Sequence, residues 1–335
     1  MSPSLTLPTN LTVRAPVRDE LDAIHALMYL SDLDVFGRAD YTMQELQHDW
    51  SRQGFDPASD AWVVALPDGQ LVGYAHAVGM NGNHFRLFGM GVVHPDYYNQ
   101  GIGSALVALI EARARQHVPL APPEARVALF IGIAGGHEPS ERLLTDHGYT
   151  KARRFSRMQI IMDGPPPAPV WPEGVTLRTL VPGQDERALW EAMEESFSDH
   201  WGHSPESFDH WMARHTEPDS LRPELQFLAM AGDTIAGAAM CIYLEEFGWV
   251  DTLGVRRPWR KHGVGLALLH HAFGEFYRRG THEVGLGVDA QSLTGATRLY
   301  ERAGMHPLVH YDSYEKELRP GVELSVQSLD EAKEA

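Results

Sequence analysis

Gly254-Val-Arg-Arg-Pro-Trp-Arg-Lys-His-Gly-Val-Gly265, read beside Gly91-Val-Val-His-Pro-Asp-Tyr-Tyr-Asn-Gln-Gly-Ile-Gly103, sets the organisation of this chain. Gly101 and Gly263 lie 162 positions apart (263 − 101), and Val93 and Val255 share that offset. An apolar strand leads into each stretch. An amphipathic run follows it, with Leu266, Leu269, Phe273 and Phe276 at helical spacing and His270, Glu275 and Arg279 on the other side. Leu106, Ile110 and Arg113 repeat this in the first half. A strand that turns through glycines into a helix leaves the first helical amides without intrahelical acceptors, gathered around a point that suits a phosphate. Glycine lets the ligand approach the backbone closely.

The repetition extends outward. Leu11–Val17 and Val175–Leu180 read as opening strands, and amphipathic stretches follow around Leu21–Leu33 and Glu186–Phe197. Hairpins come next, around Pro67-Asp68-Gly69 and Ala231-Gly232-Asp233. Further strands are expected at Arg126–Ile133 and Glu283–Val288, each with a short helix and a closing strand after it. Gly164-Pro-Pro-Pro-Ala-Pro169 can hold neither a helix nor a central strand. The expected division is therefore a first domain over 1–163, a linker over 164–170 and a second domain over 171–335. A chain of 335 residues suits two cores of about 160 residues each.

Spacing separates three kinds of phosphate loop. The dinucleotide fingerprint needs Gly or Ala where Leu268 stands, and a Walker loop needs Gly-Lys-Ser/Thr, which is absent. Arg260, Gly263 and Gly265 instead match Arg/Gln-x-x-Gly-x-Gly/Ala, and the second half resembles the GNAT acetyltransferase superfamily. Asp289-Ala-Gln-Ser-Leu-Thr-Gly-Ala-Thr-Arg-Leu-Tyr-Glu-Arg-Ala-Gly-Met305 resembles that family's Asn-x-x-Ala-x-x-Leu-Tyr-Glu-Lys-x-Gly-Phe segment, and this is the more specific match.

The resemblance implies an α/β (α+β) fold of two GNAT-like domains, each a mixed, mostly antiparallel sheet flanked by helices. It implies acetyl-CoA as cofactor, held by Leu253, Gly254 and Val255 at a strand end, by the turn Arg260, Lys261, His262, Gly263, Val264, Gly265 and Leu266, and by Ser292 in place of the usual asparagine. A backbone NH near Leu253 or Gly254 would polarise the thioester carbonyl. Tyr300 would protonate the departing thiolate, since a phenol near pKa 10 can donate to a thiolate of about 8 to 9. The first half departs from the pattern. Tyr98 stands at the motif's opening position and Leu144 at the tyrosine's place, while Asn99, Gln100, Gly101, Ile102, Gly103 and Ser104 retain a second loop of the cofactor-binding kind. Leucine cannot donate a proton.

Direct transfer to an amine needs a proton acceptor but no metal. Glu245, Glu246 and Asp251 lie at or near the fourth strand; Glu246 is the favoured base, at least as readable as a solvated carboxylate at a turn, and Asp251, on the strand itself, is the reserve. Asp199, His200 and Trp201 fall where the superfamily shapes its acceptor pocket, although the same residues would also serve as a helix cap with a buried Trp. Cys241, in an apolar strand, reads as core. Two-domain acetyltransferases of the mycothiol-synthase type are similar in length and in having a more competent second half, which implies an amino-sugar-linked cysteine as one acceptor. A rival reading is an acyl-CoA sensor without turnover.

The resemblance implies an amine of a small molecule or a peptide as the acceptor and leaves oligomeric state open. A net charge of −17 disfavours nucleic acid and anionic membranes. No apolar run approaches the roughly 20 residues that span a bilayer. The opening MSPSLTLPTN lacks a secretory pattern and a lone cysteine forms no internal disulfide, so a cytoplasmic location is expected.

Overall fold

The computed structural model describes residues 7–52, 54–79, 83–215, 222–292 and 295–328. Leu293 and Thr294 of the second signature, and Met1–Thr6 of the opening stretch, lie outside these. The first half carries β1 (Thr12–Arg14), α1 (Leu21–Phe36), α2 (Met43–Ser51), α3 (Pro57–Asp60), β2 (Ala61–Ala65), β3 (Leu71–Gly79), β4 (Arg86–Val93), α4 (Ile102–His117), β5 (Val127–Ala134), α5 (Glu138–Asp146) and β6 (Thr150–Ile161). The second carries β7 (Val175–Thr179), α6 (Glu186–Phe197), α7 (Phe208–His215), β8 (Gln226–Ala231), β9 (Thr234–Leu244), β10 (Phe247–Val255), α8 (Val264–Arg278), β11 (Glu283–Asp289), α9 (Ala296–Arg302) and β12 (His306–Arg319).

Two compact units form, and they differ from a division at the proline run. Unit 1 comprises Met1–Arg154 with Tyr311–Leu324; unit 2 comprises Phe155–His310 with Ser325–Ala335. The closing strands are exchanged. In unit 1 the strand order is β1-β2-β3-β4-β5-β12, the last pair antiparallel from Tyr311↔Ala134 to Arg319↔Val127. In unit 2 the order is β6-β11-β10-β9-β8-β7, with β6 antiparallel to β11 from Phe155↔Asp289 to Ile161↔Glu283. A ladder bond is indifferent to sequence distance, so a pattern read along one half cannot tell which copy's last strand will fill the edge.

Each unit is mostly antiparallel, with one short parallel pair at its centre. In unit 2, β10 pairs β11 in parallel only at Gly248↔Val284 and Trp249↔Gly285, after which the strands part. Against β9, β10 slips register between Val250 and Thr252, a bulge at Asp251. In unit 1 the parallel pairing of β4 with β5 runs from Arg86 to Gly89, and β4 keeps unbroken register with β3. Adding 162 sets Gly89 level with Asp251, so the strands part earlier in unit 2.

Helix α8 covers this sheet because its apolar stripe is continuous. Val264, Leu268, Leu269, Ala272, Phe273 and Phe276 are buried with Phe227, Cys241, Val250, Val284 and Leu286. Phe273 and Phe276 are fully buried, each contributing roughly 2–3 kcal/mol of apolar burial. Gly248 makes room for that packing, since a Cβ there would sit 2.8 Å from the Phe276 ring. On the opposite face α6 lies so close that a Cβ on Gly254 would meet Met193 Sδ at 2.8 Å.

Candidate functional site

The turn into α8 is built by its backbone conformation. Lys261 adopts φ 65° and Gly263 φ 91°. Unit 1 repeats the turn with Asn99 at φ 59° and Gly101 at φ 80°, again 162 positions earlier. Gly263 is the N-cap of α8, no side chain caps that end, and no acid stands in the first turn. Helix α2, by contrast, is closed by a reciprocal Thr42 and Glu45 box. Lys261, His262 and Gly263 are exposed, while Val264 and Gly265 are buried. Amides without acceptors and a positive helix end, open to solvent, fit a diphosphate. Gly265 also lets α9 approach, since a Cβ would meet Leu299 Cδ2 at 3.0 Å.

Arg260 is committed elsewhere. Its Nε donates to the Val255 carbonyl at 3.0 Å and its Nη2 to the Ser196 carbonyl at 2.9 Å. Both terminal nitrogens bind the Asp199 carboxylate, Nη2 reaching Oδ1 at 3.2 Å and Nη1 reaching Oδ2. Asp199 is correspondingly buried. Burial pushes its carboxyl up, but the Arg260 bonds and charge, with His200 and Arg257, outweigh this and leave it below the ordinary carboxylate range. Residue 98 shows the same link in other chemistry: the Tyr98 hydroxyl donates to Asp34 of α1 at 3.1 Å.

A cavity of about 100 Å³ opens where β10 and β11 part. Asp251 and Leu253 of β10, Ser292, Tyr300 of α9, and His200 and Trp201 after α6 line it, which brings together six residues singled out in the sequence. Sequence reasoning missed Phe197, Val250, Leu286, Gly287, Val288, Asp289 and Ala296. Of these, Asp289 carried a signal as the first residue of the second signature. Glu246 stands in the exposed turn between β9 and β10, outside this lining, whereas the bulge turns Asp251 onto it.

Tyr300 is buried, and burial pushes its hydroxyl up to about 12. Burial lowers His200 below the ordinary histidine range, so its ring is neutral at pH 7 despite the opposing Asp199. Phe197 packs edge-on against His200 at 4.4 Å, and Phe155 lies 6.3 Å from Trp201. Beyond Trp249 the edge of β10 that faced β11 parts from it, so peptide groups on that side open onto the gap beside Asp251 and Tyr300. In unit 1 the position of Tyr300 is held by Leu144, buried in the core with Ile110 and Tyr149. Cys241 is fully buried and its thiol is pushed up by that burial.

The model of the acetyltransferase (GNAT) family matches residues 21–130 and again 187–305. A solved GCN5-related N-acetyltransferase from Sphaerobacter thermophilus is 41% identical, covers 95% of this chain and 99% of its own, and superposes with a TM-score of 0.85. A mycothiol acetyltransferase of Salinispora arenicola is 34% identical over 72% of this chain and 76% of its own length. Another, of Nocardiopsis dassonvillei, is 30% identical over 86% of this chain and 92% of its own. Among the described residues no helix is long and apolar enough to cross a membrane. The family's fold binds acyl-CoA and its enzymes act on an acceptor substrate. Matched in both halves, the chain belongs to the acetyltransferase (GNAT) family.

Proposed function

We propose that unit 2 moves an acetyl group from acetyl-CoA to the amine of a small molecule by direct attack in a ternary complex. The observation that carries this is the shared cavity of Asp251 and Tyr300, at the parting of β10 and β11. Acetyl-CoA supplies an activated thioester. Backbone amides of Gly263, Val264 and Gly265 hold its diphosphate, with Lys261 and His262 beside them, Leu266 in the first turn below, and Leu253, Gly254, Val255 and Ser292 along the inner path. A β10 amide near Leu253 or Gly254 polarises the carbonyl. Asp251 takes the proton of the incoming amine, directly or through one water, and the Tyr300 hydroxyl gives a proton to the departing sulfur.

His200, neutral, and Trp201 line the acceptor side. An amino-sugar-linked cysteine is the first acceptor to try, given relatives named mycothiol acetyltransferase. Unit 1 keeps the loop from Asn99 to Ser104 but has neither the bulge nor the tyrosine, so turnover is assigned to unit 2. The test is to mix the protein with acetyl-CoA and a panel of amines and follow free thiol. Amine-dependent thiol release is expected; tight coenzyme A binding with no release from any amine would favour a sensor instead.

A further inference from the structure

Arg260 joins three pieces of chain that the fold could otherwise let move separately. Its guanidinium binds the end of β10 through Val255, the last turn of α6 through Ser196, and the following loop through Asp199. Neighbouring bonds reinforce the junction: Arg256 Nε donates to Glu195 at 2.5 Å and Arg257 Nη2 to Ser198 Oγ at 3.1 Å. The loop from Ser198 to His203 is gripped at its far end too. Gly202 donates its amide to the Val326 carbonyl at 2.7 Å, and Val326 donates back to His203 at 3.0 Å. Between the two grips stand His200 and Trp201, which line the cavity. The next residue after Arg260 is Lys261, whose left-handed backbone begins the glycine turn.

A guanidinium whose bonds all go to protein is poorly placed to act as a phosphate ligand, yet it sits one residue from the anion turn. A bidentate Arg–carboxylate contact also fixes orientation as well as distance. We infer that Arg260 and Asp199 are positioning residues that tie the anion turn to the acceptor-side loop, so that filling the turn settles His200 and Trp201 over the cavity. Among the described residues of unit 1, the hydroxyl at the same position, that of Tyr98, binds only the helix, through Asp34 in the last turn of α1. The inference rests on the proposed cofactor role of the turn.

Trp201 provides an acceptor-free readout. Coenzyme A is titrated into wild type and Trp201→Phe, and the difference in tryptophan fluorescence isolates the Trp201 signal while calorimetry gives Kd. The Asp199→Asn variant is expected to bind within about threefold of wild type and lose at least about four-fifths of the Trp201 signal, with Asp199→Glu regaining part of it. Asp199→Ser gives the same reading should the amide variant fail to fold. Neutral variants that keep the Trp201 signal at unchanged Kd would overturn the inference, as would a wild type whose Trp201 ignores bound coenzyme A. A tenfold or greater loss of affinity in both neutral variants would also overturn it, because the pair would then belong to the cofactor turn itself. Wild type that binds no coenzyme A refutes the cofactor role instead, a separate result.

Discussion

Asp251 and Tyr300 face one cavity from two elements, the bulged strand β10 and the short helix α9. An acceptor of protons and a donor of protons thus share a space that a thioester and an amine must both enter. Tyr300→Phe should lower kcat by about a hundredfold or more while leaving coenzyme A affinity unchanged. Because burial holds the tyrosine near 12, its hydroxyl stays protonated through neutral pH, and the shape of the rate–pH curve there should be the same in wild type and Tyr300→Phe. Thiol release against pH checks both statements; a lost alkaline or neutral limb in Tyr300→Phe would contradict them.

Gly265 lies under α9 at the start of α8. Gly265→Val should weaken coenzyme A binding at least tenfold and cost roughly 1–3 kcal/mol of stability through overpacking against Leu299, the neighbour of Tyr300. Gly263→Ala meets no neighbouring atom but keeps φ near 91°, so its cost should be smaller, about 1 kcal/mol. Calorimetry and thermal melting separate the two, and equal effects would show that space and backbone conformation do not act differently at these two glycines.

Asp312, fully buried in β12, accepts from Lys151 Nζ at 2.6 Å and from Arg154 Nε and Nη2 at 2.6 and 2.7 Å. The Arg154 bonds outweigh the upward push of burial and hold the carboxyl below its ordinary range. A carboxyl depressed on folding adds stability above its unfolded pKa, about 3.9, and loses it as pH falls through the folded value. Asp312→Asn should therefore have a lower urea midpoint than wild type at pH 7, with the gap closing in acid. A gap that stays constant with pH would show the charge is not what matters.

Cys241 should be inert. Fully buried, with its thiol pushed up by burial, it should react with a thiol reagent at least about a hundredfold more slowly in the native protein than in denaturant. Assays that count released thiol then carry no background from the enzyme, and rapid native labelling would refute this.

Local signals carried most of the fold. Helix α6 falls on Glu186–Phe197 as its periodicity indicates, and the 162-residue offset reappears in the paired left-handed residues Asn99 and Lys261. The cavity was partly legible, because Tyr300, Asp251, His200 and Trp201 carry chemistry that a pattern can display. The bulge was not, since one unpaired residue in β10 leaves no mark on an apolar run, and Glu246 is therefore favoured over Asp251 on sequence alone. The contact of Arg260 with Asp199 spans 61 positions and depends on where α6 ends in space. The exchange of β6 and β12 was equally invisible, because ladder bonds between strands far apart in sequence leave no periodic signal within either strand.

That exchange has a practical outcome. A cut in the proline run would give two fragments, each carrying a strand that belongs to the other's unit and each lacking one of its own. Neither piece would be a self-sufficient half-enzyme. Activity in such a split protein would have to come from reassociation, rising with fragment concentration, because each half of the chain completes the sheet of the other.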